Sequence, residues 1–200
     1  MQQEFLNMAT TVFDNVDKWN AFIDLYNNKD AIRVTWVNKL KQSLIEHFRI
    51  KDIAIGWEFN VYGDMNCCKW YLTDFGPDSL CLRFWVNYGG NPGLMLWVHK
   101  DKFDSAKITE SLRNEKYIPL LAALKADRVE INDWDKAISE KQFYFDSPFD
   151  GNFDYDHFAW YAGNETEKVV NQIADKVNKI RKSQELTNLL IELNQSSRKL

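Results

Sequence analysis

The sequence predicts an α+β fold, a four-stranded antiparallel meander packed against an N-terminal helical hairpin and a long C-terminal helix. Two changes of hydrophobic period and one set of short turns carry that prediction. Apolar residues recur at helical spacing as far as Phe48, switch to alternate positions after Lys51, and return to helical spacing after Asn164. The links between the alternating stretches are too short for the dozen or so residues a parallel crossover needs, which leaves antiparallel neighbours.

The hairpin is read from Val16, Trp19, Ile23 and Tyr26, then Ile32, Trp36, Leu40 and Leu44, with Asn28, Lys29 and Asp30 as the break. Asp30 is placed to cap the second helix by accepting from backbone N–H groups of its first turn. Beyond Lys51, residues Ile53, Ile55, Trp57, Phe59 and Val61 line one face of a strand and Glu58 and Asn60 the other. Turns at Gly63 to Asn66, Gly76 to Asp78 and Gly89 to Gly93 introduce strands at Lys69 to Phe75, Leu80 to Asn87 and Leu94 to His99. Two short helices broken near Pro119 follow between Asp104 and Lys125, and Arg128 to Gly163 reads as irregular, aromatic and acidic.

Asn164 followed by Glu167 is a variant capping box opening the last helix, with Val169, Ile173, Val177 and Ile180 as its stripe. Leu186, Leu189, Leu190 and Leu193 continue it past a bend at Ser183, and the tail from Ser196 reads as frayed. The expected core holds Trp36, Leu40, Trp57, Phe59, Leu72 and Leu82, together with Phe84, Leu96 and Ile173. One domain over 1–200 is expected, with the hairpin in 1–50, the sheet in 51–100, short helices and an aromatic acidic loop in 101–163, and the last helix in 164–195.

A chain of 200 residues with 45% hydrophobic and 27% charged residues excludes collagen-like, coiled-coil and disordered classes. Its net charge of −4 argues against holding nucleic acid by bulk electrostatics, and no stretch is apolar enough for a membrane span, so a cytoplasmic protein without a membrane role is expected. Cys67, Cys68 and Cys81 fit neither a disulfide framework nor a zinc pattern and read as reduced thiols on strands. Charge is segregated: residues 127–167 hold 11 acids and 3 bases, and residues 168–200 hold 7 bases and 3 acids. Either the last helix lays its basic face beside the acidic segment, or the two form a split docking surface.

Catalytic patterns are missing. There is no nucleophile elbow, Walker motif or dinucleotide fingerprint, and His47, His99 and His157 stand in no recognisable triad. Asp146, Asp150, Asp154, Asp156 and His157, with Gly151 for a tight turn, hold enough ligands for a divalent cation but match no EF-hand spacing. No cofactor or resident metal is expected. The same stretch combines aspartates with a dense set of rings, so it is either a loop pinned by its aromatics or an interface. Read as an interface, its contacts are Phe149, Asp150, Asp154, Tyr155 and Asp156. Lys168, Lys176, Lys179, Arg181 and Lys182 form the candidate nucleic-acid surface.

Four landmarks carry a resemblance: Trp19 to Phe22, Trp70 to Gly76, Phe145 to Gly151 and Trp160 to Asn164. Together they resemble the region C-terminal to the catalytic core in bacterial PD-(D/E)XK-superfamily nucleases. That family's catalysis needs an acid two residues before a lysine, so that a carboxylate holds Mg²⁺ and the lysine polarises the phosphate or the water. No Asp or Glu here has Lys two positions later, and Lys100 is preceded at that spacing by Val98. The resemblance therefore implies a non-enzymatic interaction protein of bacterial defence or counter-defence. Its partner would be a nuclease or its guide or target nucleic acid, as for an inhibitor of an RNA-guided nuclease. The rival reading is a metal-dependent nuclease or hydrolase built on Asp146, Asp150, Asp154 and His157.

Overall fold

The computed structural model describes residues 2–62, 67–85, 92–99, 101–124, 136–139 and 154–199, and the chain divides into two compact units, Met1–Thr35 and Trp36–Leu200. The first unit is helical. It holds α1 (Gln2–Val12), α2 (Val16–Asn27) and the start of α3 (Lys29–Glu46). Asn15 begins α2 by accepting from the Lys18 N–H at 3.0 Å, and Asn28 ends it by returning its backbone N–H to Asp24. The break at Asn28 falls where the sequence puts it, but α3 already includes Asp30, whose carboxylate pairs with Arg33 at 2.6 Å instead of capping.

The second unit begins with the remainder of α3, which ends in a wide π-helical turn, His47–Lys51. Five strands follow: β1 (Trp57–Tyr62), β2 (Cys67–Leu72), β3 (Cys81–Trp85), β4 (Gly93–Trp97) and β5 (Lys136–Ser139). All neighbours are antiparallel in the order β1-β2-β3-β4-β5. The four-stranded meander is the predicted one, and β5 extends it at β4 from within the stretch read as irregular. Ile53 and Ile55 do not join the strand face. Asp52 closes the π turn onto His47, and Gly56 adopts φ +79, so alternation starts only at Trp57 and Ile55 is fully exposed.

Three helices flank this stretch: α4 (Ser105–Leu112), α5 (Ile118–Ala123) and α6 (Tyr155–Asn164). Pro119 sits in the first turn of α5, where its missing N–H costs nothing, so it starts that helix and the break falls earlier, at Asn114. The segment around Tyr155 to Gly163, expected to be irregular, is the regular helix α6, because Tyr155, Phe158, Ala159 and Ala162 give it a buried side at helical spacing. Asn164 belongs to α6, donating to the Trp160 carbonyl at 2.9 Å, so no capping box forms.

The C-terminal helical stretch divides into α7 (Thr166–Arg181) and α8 (Gln184–Ser197) at the predicted bend, with Ser183 capping α8. Its tail is held, not frayed: Ser197 is buried, Arg198 pairs with Phe103 as a β-bridge, and the Lys199 N–H donates to the Lys102 carbonyl at 2.9 Å.

One core unites the inward strand face (Phe59, Trp70, Leu82, Phe84, Leu96) with Leu40 and Leu44 of α3 and the inner faces of α4 to α8. Eight of the nine expected core residues are buried; Trp36 is partly exposed and packs at the edge. Two long-range contacts fix how the helices meet this core. A Cβ placed on Gly163 would lie 2.2 Å from the Trp36 indole, and Lys39 donates to the Gly163 carbonyl at 2.7 Å, so α3 and α6 approach to a distance only glycine permits. Asn194 of α8, fully buried, accepts from the Leu80 N–H at 3.0 Å and donates to the Leu80 and Leu190 carbonyls.

Gly163→Ala is expected to destabilise the protein by about 1–3 kcal/mol in urea denaturation, and adding Trp36→Leu should recover much of that loss. Asn194→Leu should cost about 2–3 kcal/mol, since both Leu80 backbone groups would be left buried without partners.

Candidate functional site

Strand alternation gives the sheet a second face, opposite the core. It carries Glu58, Asn60 and Tyr62 from β1, Lys69 and Tyr71 from β2, Arg83 and Trp85 from β3, and Met95 and Trp97 from β4. Tyr71, Cys81, Met95 and Trp97 form a small buried cluster there, separate from the main core. Register places Lys69 directly opposite Arg83, so two cations are cross-strand neighbours. Lys69 is only 9% exposed; its ammonium lies 3.8 Å from the centre of the Trp97 ring and 4.9 Å from that of Tyr62. The Arg83 guanidinium lies 4.6 Å from the Trp85 ring centre and 5.5 Å from that of Trp97. At the far corner Tyr71 donates to Glu58 at 2.8 Å, and burial, aided by that bond, pushes the phenol well above its ordinary value, so it stays a donor.

The N-terminal unit presents a different surface. The period of α2 gathers Val16, Trp19, Phe22, Ile23 and Tyr26 on one side and Asp17, Asn20 and Asp24 on the other. Read from sequence as the helical spacing of a hairpin, this side is exposed: α2 buries none of its residues, and Val16, Trp19 and Tyr26 are 71%, 50% and 68% exposed. Phe13 extends it into a continuous ladder of rings, with Phe13 to Phe22 at 4.7 Å, Trp19 to Phe22 at 5.6 Å and Phe22 to Tyr26 at 6.4 Å between centroids.

The residues proposed from sequence are placed as follows. Asp146, Phe149 and Asp150 lie outside the described residues. Asp154 caps α6, accepting from the His157 N–H at 2.9 Å, and its carboxylate also lies 2.9 Å from His157 Nδ1. Tyr155 is buried in the core, which removes it as a surface ring, because the Asp154 cap turns the next residue inward. Asp156 sits half-buried in the first turn. Among the described residues no cluster of three or more His, Cys, Asp or Glu side chains could hold a metal, and no helix is long and apolar enough to cross a membrane.

The basic set on α7 separates by helical phase. Lys168, Lys176, Lys179 and Lys182 share one side with Asp175 among them, whereas Arg181 follows Val177 by one turn and lies on the buried side. Arg181 is therefore a core cation and not a nucleic-acid contact: it donates to the Asp52 carbonyl at 3.0 Å and to Asn178 at 2.9 Å, and lies over the Phe48 ring. Lys182 is held by the Asp52 carboxylate at 2.8 Å. Lys168 lies 5.8 Å from the Tyr161 ring centre. The cations that the sequence pattern missed are Lys69 and Arg83. Their signal was the polar phase of two strands whose other phase is apolar, read only for its apolar half.

Asp52 joins the end of α3 to the end of α7, accepting from Asn178 at 2.6 Å and facing His47 at 3.6 Å. Burial works to raise its carboxyl, but hydrogen bonds from Lys182 and Asn178 and the Lys182 and Arg181 charges outweigh that and hold it below the ordinary range. Burial lowers the His47 imidazole; Asp52 opposes this and Arg181 adds to it. Both groups are depressed on folding, so each contributes stability above its unfolded value that is lost as pH falls, from 6.5 downward for His47 and from 3.8 downward for Asp52. Asp52→Asn is expected to cost about 2–4 kcal/mol near neutrality, by leaving Arg181 buried without its carboxylate, and to flatten the acid limb of stability below pH 3.8 in urea titrations.

Set against known proteins, the chain matches no family model, no curated protein and no solved structure.

Proposed function

We propose that this chain is a non-catalytic interaction protein that docks through its N-terminal helical unit onto another protein. The observation that carries the reading is α2, a helix with a full apolar side and no buried residue. Among the described residues of 1–35, nine large apolar side chains are exposed. At about 100 Å² each, they expose on the order of 900 Å² across α1, α2 and the start of α3, against the roughly 800 Å² one partner contributes to a stable interface. The ladder of adjoining rings on α2 is the continuous part of that area, and contiguous apolar surface marks an interaction site.

The charge around the ladder says which kind of partner it fits. The segment 1–35 carries five acids and three bases, and Asp17 and Asp24 border the ring ladder on the polar side of α2. An apolar groove edged with basic residues complements that pattern, whereas a second copy would set acid against acid. Proteins that grip nucleic acid present such basic edges. A nuclease of bacterial defence, the partner class implied by the sequence resemblance, belongs to that class.

The test combines two measurements. Sedimentation of the purified chain should give a monomer; a stable dimer at micromolar concentration, abolished by Trp19→Asp with Phe22→Asp, would show that the patch serves self-association. In binding and cleavage assays with a panel of purified RNA-guided nucleases, the wild-type chain should bind at least one, and the Trp19→Asp, Phe22→Asp variant should lose that binding about 100-fold with its unfolding midpoint unchanged. Binding to none of the panel, or equal binding by the variant, refutes the reading.

A further inference from the structure

The second face of the sheet holds two positive charges that form no ion pair with a described carboxylate. Lys69 is nine-tenths buried, yet its ammonium touches only two rings and, at 3.4 Å, the Pro77 carbonyl. Arg83 is stacked among indoles, and its Nε is buried with no acceptor. Trp97 is 7% exposed, and its Nε1 donor also lacks an acceptor. Two acids stand near, and neither forms an ion pair with Lys69 or Arg83. Asp78 is bonded to Lys102 at 2.5 Å, and Glu58 accepts from Tyr71. Among the described residues, then, Lys69, Arg83 and Trp97 bring together an ammonium, a guanidinium and an indole N–H, and no carboxylate pairs with either cation.

Such an arrangement is costly as it stands. Like charges placed opposite each other on neighbouring strands repel, and a buried cation without a counter-ion has lost its hydration and gained nothing equivalent. Ring faces recover part of this, since a desolvated cation is attracted to an aromatic quadrupole. Among the described residues they leave both cations without an ion-paired carboxylate, and the unused donors in place. We infer that this face is a binding site for a phosphate group, entered at the half-buried Arg83. A terminal phosphate carries a charge near −2 at neutral pH and has three acceptor oxygens, which matches two cations and a spare indole donor, whereas a carboxylate would balance only one cation. Two indoles lie against the Arg83 guanidinium and restrain it before the anion arrives.

Inorganic phosphate and a nucleotide offer the same group, and a single set of titrations separates them. The full chain is titrated by calorimetry and thermal melting with inorganic phosphate, AMP, and a short single-stranded oligothymidine with and without a 5′-phosphate. The expected result is saturable binding of phosphate-bearing probes, with a melting temperature that climbs with their concentration. Preference for AMP and the phosphorylated strand identifies a nucleotide source, and equal binding of inorganic phosphate identifies the free anion. Lys69→Met and Arg83→Met should each weaken binding about tenfold or more, yet leave the unliganded melting temperature unchanged or raised, because each removes an unmatched charge. Failure of the folded wild-type chain to bind any phosphate probe overturns the assignment. So does unaltered binding by both variants, or a fall in their unliganded melting temperature as large as that of a core truncation, which would make the cations structural. The Trp19→Asp, Phe22→Asp variant should bind phosphate normally, so this site and the docking helix stand or fall separately.

Discussion

The ring cluster around Trp70 is the contact on which the second unit depends. Trp70 is wholly buried in the middle of β2, with Phe59 of β1 and Phe48 of the π-helical turn each 5.0 Å away, so three elements meet on one indole. From that point the core spreads across the strands to Leu82, Leu96 and Phe84, and on to Phe158 of α6, 6.3 Å from Phe84. Burying a large apolar side chain contributes about 1.5–3 kcal/mol, and rings contribute most because each removes the largest area from water. The π turn matters for the same reason. It widens the end of α3 so that Phe48 reaches Trp70 while His47 reaches Asp52, and the apolar anchor and the polar one come from adjacent residues.

The two faces of the sheet obey opposite rules. On the core side every position is apolar and packed, and the polar side chain that reaches the loop beside it, Asn194, has its amide hydrogen-bonded on both sides. On the other side cations and rings alternate across β2, β3 and β4, and no described carboxylate forms an ion pair with the cations. A fold selected only for stability would not retain that second pattern, because replacing buried unpaired charge by apolar side chains of similar volume is neutral or favourable. The N-terminal unit departs from stability rules in the same sense, keeping rings in water where folding gives them nothing. The α7 surface, by contrast, is ordinary. Its lysines surround Asp175, and Lys182 and Arg181 are committed to Asp52.

Most of the fold was legible because periodicity is local. Trp57 and Phe59 against Glu58 and Asn60 announce β1, and Asn28 announces the break between helices. The failures share a cause: they required knowing what lies on the other side of a residue. The stripe on α2 has the same spacing whether it meets a core or water, so the spacing that announces the helix does not announce that Trp19 is half exposed. Arg181 was counted with the surface lysines by its sign, although its phase matches Val177 and Val170 on the buried side. Helix α6 was hidden by composition, since aspartates near Tyr155 and Phe158 suggested a loop even though the buried residues keep helical spacing. Nothing in the neighbourhood of Gly163 announces Trp36, 127 positions earlier, as the ring that requires it to be glycine.

The locks that close the second unit are also remote in sequence. Lys39 reaches Gly163 across 124 residues, Arg181 reaches Asp52 across 129, and Asn194 reaches Leu80 across 114. The strand pairs from β1 to β4 join neighbours in the chain. Order of formation follows from that difference. Short loops close at small entropic cost, so the meander can assemble while the flanking helices are still searching, and the distant locks engage last. Interactions made after the rate-limiting barrier slow unfolding without hastening folding. In this chain the glycine contact, the Asp52 bonds and the Asn194 amide therefore act chiefly on the lifetime of the folded state, as latches on a sheet that has already formed.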